Sequence, residues 1–196
     1  QKIMHTRDLS GMDKLVKISH GLRALFASLL LMSFFPWVSF RIFSLDTQPW
    51  PLLAMAMILF IWFLLGRGLK SVYALFFITM IFVFVTLLEF RIDFLTVRAI
   101  ATYFGIFVSF SSYLIYRIHV GSPLKIIYIA NTLWLLSGVV QQLLGPHFLG
   151  WLVEVRTTTN RGVTGLAPEP TFYGITLFFL SWLIVIESRS LDLRSR

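Results

Sequence analysis

The chain has no cysteine, and only 13% of its 196 residues are charged. The missing cysteine removes disulfides, thiolate metal sites and cysteine nucleophiles; it says nothing about compartment, because a membrane-buried fold needs no covalent staple. The scarcity of charge excludes more. A soluble domain carries roughly 25% charged and about 45–50% apolar residues. Here 57% of residues are hydrophobic and the mean hydropathy is +0.81. There is too little polar surface to coat a water-soluble globule, so soluble enzymes, secreted disulfide scaffolds and disordered tails are excluded. Acidic residues are scarcer still, nine against 17 Lys and Arg. What that imbalance means depends on where the charges lie.

What the sequence does have is long apolar runs. Six stretches carry no Asp, Glu, Lys or Arg: 24–40, 47–66, 71–88, 99–116, 126–153 and 170–186. A helix needs about 20 mostly apolar residues, with a range of roughly 17–25, to cross the hydrocarbon core. The sequence therefore predicts an all-α integral membrane protein, a bundle of about six transmembrane helices. Residues 1–23 read as a basic cytoplasmic or interfacial segment, 24–145 as helices one to five, 146–171 as an outer loop, 172–187 as helix six and 188–196 as a cytoplasmic tail. The fifth run is too long for one span. Gly145-Pro146 ends its helix, and 147–153 with Trp151 and Phe148 becomes an interfacial segment. No small-x-small cleavage site follows the first run, so it reads as an uncleaved helix rather than a signal peptide.

Alternating loops divide the charge unevenly. With the N-terminus inside, the inner segments hold 12 of the 17 basic residues and four acidic ones, and the outer segments hold five of each. An excess of Lys and Arg in short loops marks the cytoplasmic side, which puts both termini in the cytoplasm. The basic excess is thus explained by topology and contact with membrane lipids; it does not imply nucleic acid.

One connection stands apart. About 26 residues separate Gly145 from Thr171, whereas ordinary connections run to about 4–6. Long loops are where binding and catalysis concentrate. This one gathers Glu154, Arg156, three threonines at 157–159, Asn160, Arg161, Gly162, Gly165 and Glu169 between two prolines. Two arginines five residues apart can converge on one polyanion, because guanidinium forks match phosphate oxygens and stay charged. Glu169 sits at the mouth of helix six, where unpaired N–H groups favour anions. The same residues also fit a plainer role, as interface anchors, a surface ion pair and helix-start punctuation.

The stretch Arg161-Gly-Val-Thr-Gly165-Leu166-Ala-Pro-Glu169-Pro170-Thr171-Phe-Tyr-Gly174 resembles the "R…GL…EPS" segment of O-antigen polymerases and related O-antigen ligase-type membrane proteins. Thr171 stands where that family has Ser, which keeps the hydroxyl. In the family the segment opens a helix on the periplasmic side, the side the charge count gives it here. The resemblance implies a polyprenyl-diphosphate-linked glycan as donor and glycosyl transfer at the outer leaflet of a bacterial inner membrane, in surface polysaccharide and lipopolysaccharide assembly. It implies that Arg161 and Arg156 bind the diphosphate and that Glu169 positions or activates an acceptor hydroxyl. Arginines on the diphosphate would replace a metal ion, in keeping with the lack of any Asp-x-Asp pair; no cofactor is implied. Other polysaccharide-assembly membrane proteins are the partners expected. Family members carry further spans and a second charged outer loop, so the chain corresponds to the N-terminal half of such a protein or to a shortened one.

His147 precedes the loop and is a secondary acid/base candidate; Arg91 and Arg98 could join the diphosphate site. His5, His20 and His119 fit surface or interfacial roles. Asn131, Gln141 and Gln142 are expected to hydrogen-bond to neighbouring helices. Two other classes remain open: a transporter or flippase module for an anionic lipid-linked substrate, disfavoured by the few mid-membrane charges, and a membrane subunit without chemistry. The topology is directly testable. Reporter fusions at residues 120 and 158 are expected to read inside and outside respectively, and the same side for both would overturn the orientation and the outer placement of the loop.

Overall fold

The computed structural model describes residues 19–39, 48–65, 70–89, 94–145, 147–156 and 161–195. Several sequence-based expectations fall elsewhere: most of the basic segment 1–23, the turn at 66–68, Arg91, Asp93 and residues 157–160, together with the side chains of Glu89 and Arg98. The described residues form six α-helices and no strand: α1 His20–Ser33, α2 Trp50–Leu64, α3 Lys70–Glu89, α4 Phe94–Ile115, α5 Leu124–Leu144 and α6 Pro170–Ser195. A π-helical turn, Tyr116–Val120, extends α4.

Each boundary has a local cause. Ser19 caps α1 by accepting from the Leu22 N–H at 3.3 Å. Pro36 lies just past its end and lacks the N–H that a further turn would require. Pro51 starts α2 in the first-turn position that tolerates it. Gly145, at φ 102°, ends α5 in a backbone conformation closed to most residues, as the sequence predicts.

Four helical stretches are long and apolar enough to cross a membrane: Lys70–Leu88, Ala99–Val120, Leu124–Leu144 and Pro170–Leu191. The first two helices differ from expectation. The run 24–40 yields a helix that stops at Ser33, and the run 47–66 one confined to Trp50–Leu64. At about 1.5 Å per residue, their 14 and 15 residues reach only about 21 and 22 Å. The chain after α1 runs non-helically through residues 35–39, with the Ser39 N–H on the Leu152 carbonyl and the Gln48 N–H on the Pro36 carbonyl. At the other end α6 begins at Pro170 and continues to Ser195, so residues 188–195, expected as a tail, are helical.

The buried side chains fall into two clusters. One joins Phe26 and Leu30 of α1, Ile58 and Trp62 of α2, Phe107 and Ile115 of α4, and Tyr116. The other joins Ile127, Ala130 and Trp134 of α5 to Leu180 of α6, Leu149 and Val153 after α5, and Leu166 and Ala167 of the following connection. The outer surfaces stay apolar: Phe77 of α3 is 73% exposed and Leu143 of α5 77%. Contiguous apolar exposure on this scale belongs to a surface meant for lipid or for other protein.

A polar cluster links α4 to α6. Glu187, almost fully buried, accepts from the Tyr113 hydroxyl at 2.8 Å and pairs with Arg117 Nε at 3.1 Å, while Arg117 Nη2 donates to Ser190 Oγ at 2.9 Å. Removing one member of a buried ion pair strands the other charge. Arg117→Ala is therefore expected to cost about 3 kcal/mol, the low end for buried pairs because Arg117 itself is 30% exposed. An Arg117→Leu/Glu187→Leu double variant removes both charges and is expected near the parent. Thermal unfolding in detergent micelles distinguishes the two; equal losses would show that the pair contributes nothing specific.

Candidate functional site

The site is built at the end of the bundle where α5 finishes and α6 starts. After Gly145, residues 147–152 fold into compact turns, with the Gly150 N–H on the His147 carbonyl and the Val153 N–H on the Leu149 carbonyl. Leu149 and Val153 point inward, whereas Phe148 and Trp151 are exposed. His147 is exposed on the same turn.

The connection then folds inward. Residues 164–168 are all buried although none is helical. Buried backbone outside regular structure must find other partners for its N–H and C=O groups. Gln141, one turn before the end of α5 and itself buried, supplies them. Its Oε1 accepts from the Thr164 N–H at 2.8 Å and the Gly165 N–H at 2.7 Å, and its Nε2 donates to Thr164 Oγ1 at 2.9 Å. This corrects the expectation that Gln141 bonds to a neighbouring helix: its partner is the loop. Nothing in the run of α5 marked it, because an amide near a helix end is indistinguishable by spacing from its neighbour Gln142, which is exposed. Asn131 also departs from expectation, since its Oδ1 is buried with no hydrogen-bond partner among the described residues.

Tyr173 wedges the arrangement from α6. Its hydroxyl donates to the Trp134 carbonyl at 3.2 Å. A Cβ at Gly138 would fall on that hydroxyl, and one at Gly165 would strike the Tyr173 ring and Ser137 Oγ. Gly165 also sits at φ 55°, in the left-handed region. The glycine of the Gly165-Leu166 pair is therefore required twice over, by conformation and by space.

The three charged candidates emerge around this buried segment. The Arg156 N–H donates to the Pro168 carbonyl at 2.9 Å, which brings residue 156 beside Glu169 and closes the loop at its base. The Arg156 guanidinium lies 3.9 Å from Glu154, with both side chains well exposed, a pairing worth about 0–1 kcal/mol. Arg161 is exposed and has no ion-pair partner among the described residues. Glu169 is half-buried at the start of α6; its carbonyl accepts the Tyr173 N–H at 3.2 Å, and its carboxylate has no partner among the described residues. The structure thus joins Arg156 to Glu169 through the backbone and leaves Arg161 apart on the exposed side.

Next to the buried segment lies an apolar cavity of about 480 Å³, lined by Met32, Phe35, Val38, Trp50, Leu152 and Leu166. Two of these residues belong to the candidate region: Leu152 precedes Arg156 by four positions and Leu166 precedes Glu169 by three. A second apolar cavity, of about 350 Å³ between α3 and α4, is lined by Phe82, Tyr103, Phe107 and neighbours and has no acidic or basic side chain in its wall. Among the described residues no group of three His, Asp or Glu side chains could hold a metal ion.

No protein-family model, curated protein or solved structure matches the chain.

The Tyr173 wedge predicts asymmetric responses to two small substitutions. Gly138→Ala is expected to destabilise by about 1–3 kcal/mol through overpacking, and Tyr173→Phe in the same chain should recover part of the loss. Gly174→Ala, where an added Cβ meets nothing within 4 Å, is expected to be neutral or slightly stabilising. Thermal unfolding checks all three, and equal tolerance at both glycines would contradict the close packing of α5 on Tyr173.

Proposed function

We propose that this chain is the membrane portion of a glycan polymerase- or ligase-type glycosyltransferase that takes glycan from a polyprenyl-diphosphate donor during surface polysaccharide assembly. In this reading α3 to α6 cross a bacterial inner membrane, the shorter α1 and α2 complete two further crossings together with the residues that flank them, both termini are cytoplasmic, and the connection between α5 and α6 faces outward. One observation carries it. Arg161 and Glu169, of opposite charge and each without an ionic partner among the described residues, flank a buried non-helical segment that borders an apolar cavity.

That combination suits an amphipathic anion. A lipid diphosphate presents a hydrocarbon tail and a compact polyanion; an apolar slot of about 480 Å³ is in the range of ligand pockets, roughly 300–1,000 Å³. Guanidinium groups in the connection that carries Leu152 and Leu166 are suited to charge-assisted, bidentate contacts with diphosphate oxygens. Arg161 has no ionic partner among the described residues, and the pairing of Arg156 with Glu154 is a weak, exposed one. The leaving group is then a diphosphate whose developing charge the arginines stabilise. Glu169, at the first turn of α6, is suited to orient an acceptor hydroxyl or take its proton. The transport alternative draws on ionisable groups inside the membrane, and the Arg117–Glu187 cluster is internally paired.

The test uses purified protein in micelles with farnesyl diphosphate as probe and farnesol as the uncharged control. A charge-assisted contact contributes roughly 1.5–3 kcal/mol, so Arg161→Ala is expected to weaken farnesyl diphosphate binding about 10- to 100-fold and to leave farnesol binding unchanged. Arg161→Lys keeps the charge without the fork and should recover only part of the affinity. Glu169→Gln should bind as the parent does but shorten the glycan made in cells. Parental binding and elongation in all three variants would reduce the loop charges to interface anchors.

A further inference from the structure

We propose that Gln141 is a positioning residue for the loop site, its carboxamide setting the geometry in which Arg161 meets a lipid diphosphate and Glu169 an acceptor hydroxyl. This rests on the reading of the loop as a lipid-diphosphate site. Gln141 itself lies outside the charged loop.

The argument is one of partners. Between Arg161 and Glu169 the chain must turn inward and out again, and its innermost point is Thr164-Gly165. Both N–H groups there end on one atom, Gln141 Oε1, at 2.8 and 2.7 Å, and the Thr164 hydroxyl receives the Gln141 Nε2 proton at 2.9 Å. Gln141 is 3% exposed and Thr164 1%, so water is a poor substitute for these contacts. Gln141 is carried by α5, which is fixed through Trp134 to the end of α1 by a 3.0 Å bond from Nε1 to the Phe34 carbonyl. Leu166 and Ala167 pack into the core beside it, but at Thr164-Gly165 the hydrogen bonds that hold the loop to α5 come from this one side chain. Arg161 is three residues to one side of the clamp and Glu169 four to the other. Releasing the clamp frees the separation and direction of the two charges without altering either of them. Displacements of about 1 Å in positioning groups are enough to lower turnover 100-fold.

A glutamine is the side chain this geometry asks for. Its oxygen accepts two N–H bonds while its nitrogen donates to a hydroxyl. Glutamate keeps the two acceptor contacts, and the Thr164 hydroxyl can reverse to donate. Leucine keeps much of the volume and none of the bonds, leaving two buried N–H groups without acceptors.

The experiment measures amide hydrogen exchange over 162–168 and farnesyl diphosphate affinity, on the full chain in micelles, for Gln141→Leu, Gln141→Glu and Arg161→Ala. Gln141→Leu is expected to speed exchange at Thr164 and Gly165 at least about tenfold, and to weaken farnesyl diphosphate binding about tenfold. Gln141→Glu should restore both toward the parent, a rescue that generic loss of packing would not give. If Gln141→Leu does not fold, Gln141→Asn, which withdraws the carboxamide by one methylene, replaces it with the same expected directions. Unchanged exchange in these variants would overturn the clamp. Faster exchange with parental affinity, while Arg161→Ala still weakens binding, would overturn the positioning role alone. Faster exchange with parental affinity in Arg161→Ala as well would overturn the lipid-diphosphate reading and the positioning role with it.

Discussion

Backbone that is neither helical nor solvated has to find partners for its N–H and C=O groups within the protein, and the loop end of this protein is arranged around how residues 164–168 do so. The Gln141 carboxamide takes the two innermost N–H groups. The Ala167 N–H turns back onto the Thr164 carbonyl, and the Pro168 carbonyl accepts from Arg156. Pro168 and Pro170 have no N–H to satisfy, which lowers the demand where the chain re-emerges. Near a hydrocarbon layer such a segment is tolerated only when protein surrounds it or when it lines a cavity. Here both hold, since Leu166 is packed in the second hydrophobic cluster and also lines the 480 Å³ cavity.

The bundle is held by different means at its two ends. At the loop end α5 and α6 meet through close packing, with Tyr173 set against Gly138 and Gly165. Toward the opposite end α4 and α6 are tied by polar groups, Tyr113 and Arg117 on Glu187. The π-helical turn bears on this second tie. An inserted residue rotates the side chains that follow, and within five residues Tyr116 joins the first core, Arg117 reaches α6 and the His119 ring lies tilted against Trp62 of α2, with ring centroids 4.0 Å apart. Polar ties of this kind specify which helix faces which, a task that uniformly apolar surfaces do badly.

How much of this the sequence discloses depends on whether a feature is local. The long apolar helices α3 to α6 and the break at Gly145-Pro146 are legible because each follows from composition over one stretch. The shortness of α1 was also within reach: Pro36 lies inside the run 24–40, and hydropathy outweighed it only because a charge-free run says nothing about backbone geometry. The loop was legible as an accumulation of Arg, Thr, Gly and Glu. Its interior was not, because the partner of Thr164 lies 23 positions away on another element. Gln141 and Gln142 are chemically identical neighbours, and only the rotation of α5 decides that one is buried and the other exposed. The same holds for Glu187, which reads as one more charge at a helix end until Tyr113 and Arg117, 74 and 70 positions distant, are placed against it.

The short α1 and the cavity are two aspects of one constraint. A first helix that continued straight to residue 40 would add about two turns beyond Ser33. Residues 34–39 instead cross toward the loop, held by Trp134 Nε1 on the Phe34 carbonyl and by the Leu152 carbonyl accepting from Ser39. Phe35 and Val38 thereby become cavity wall instead of helix surface, facing Leu152 and Leu166 across it. Proline at 36 thus does more than end a helix: by diverting the chain it leaves an apolar recess beside the only buried non-helical segment among the described residues flanked by unpaired charges. An apolar recess alone would take any hydrocarbon, and exposed arginines alone any anion. The proposed function draws on both, the recess for a hydrocarbon tail and the unpaired charge of Arg161 in the same connection for an anion.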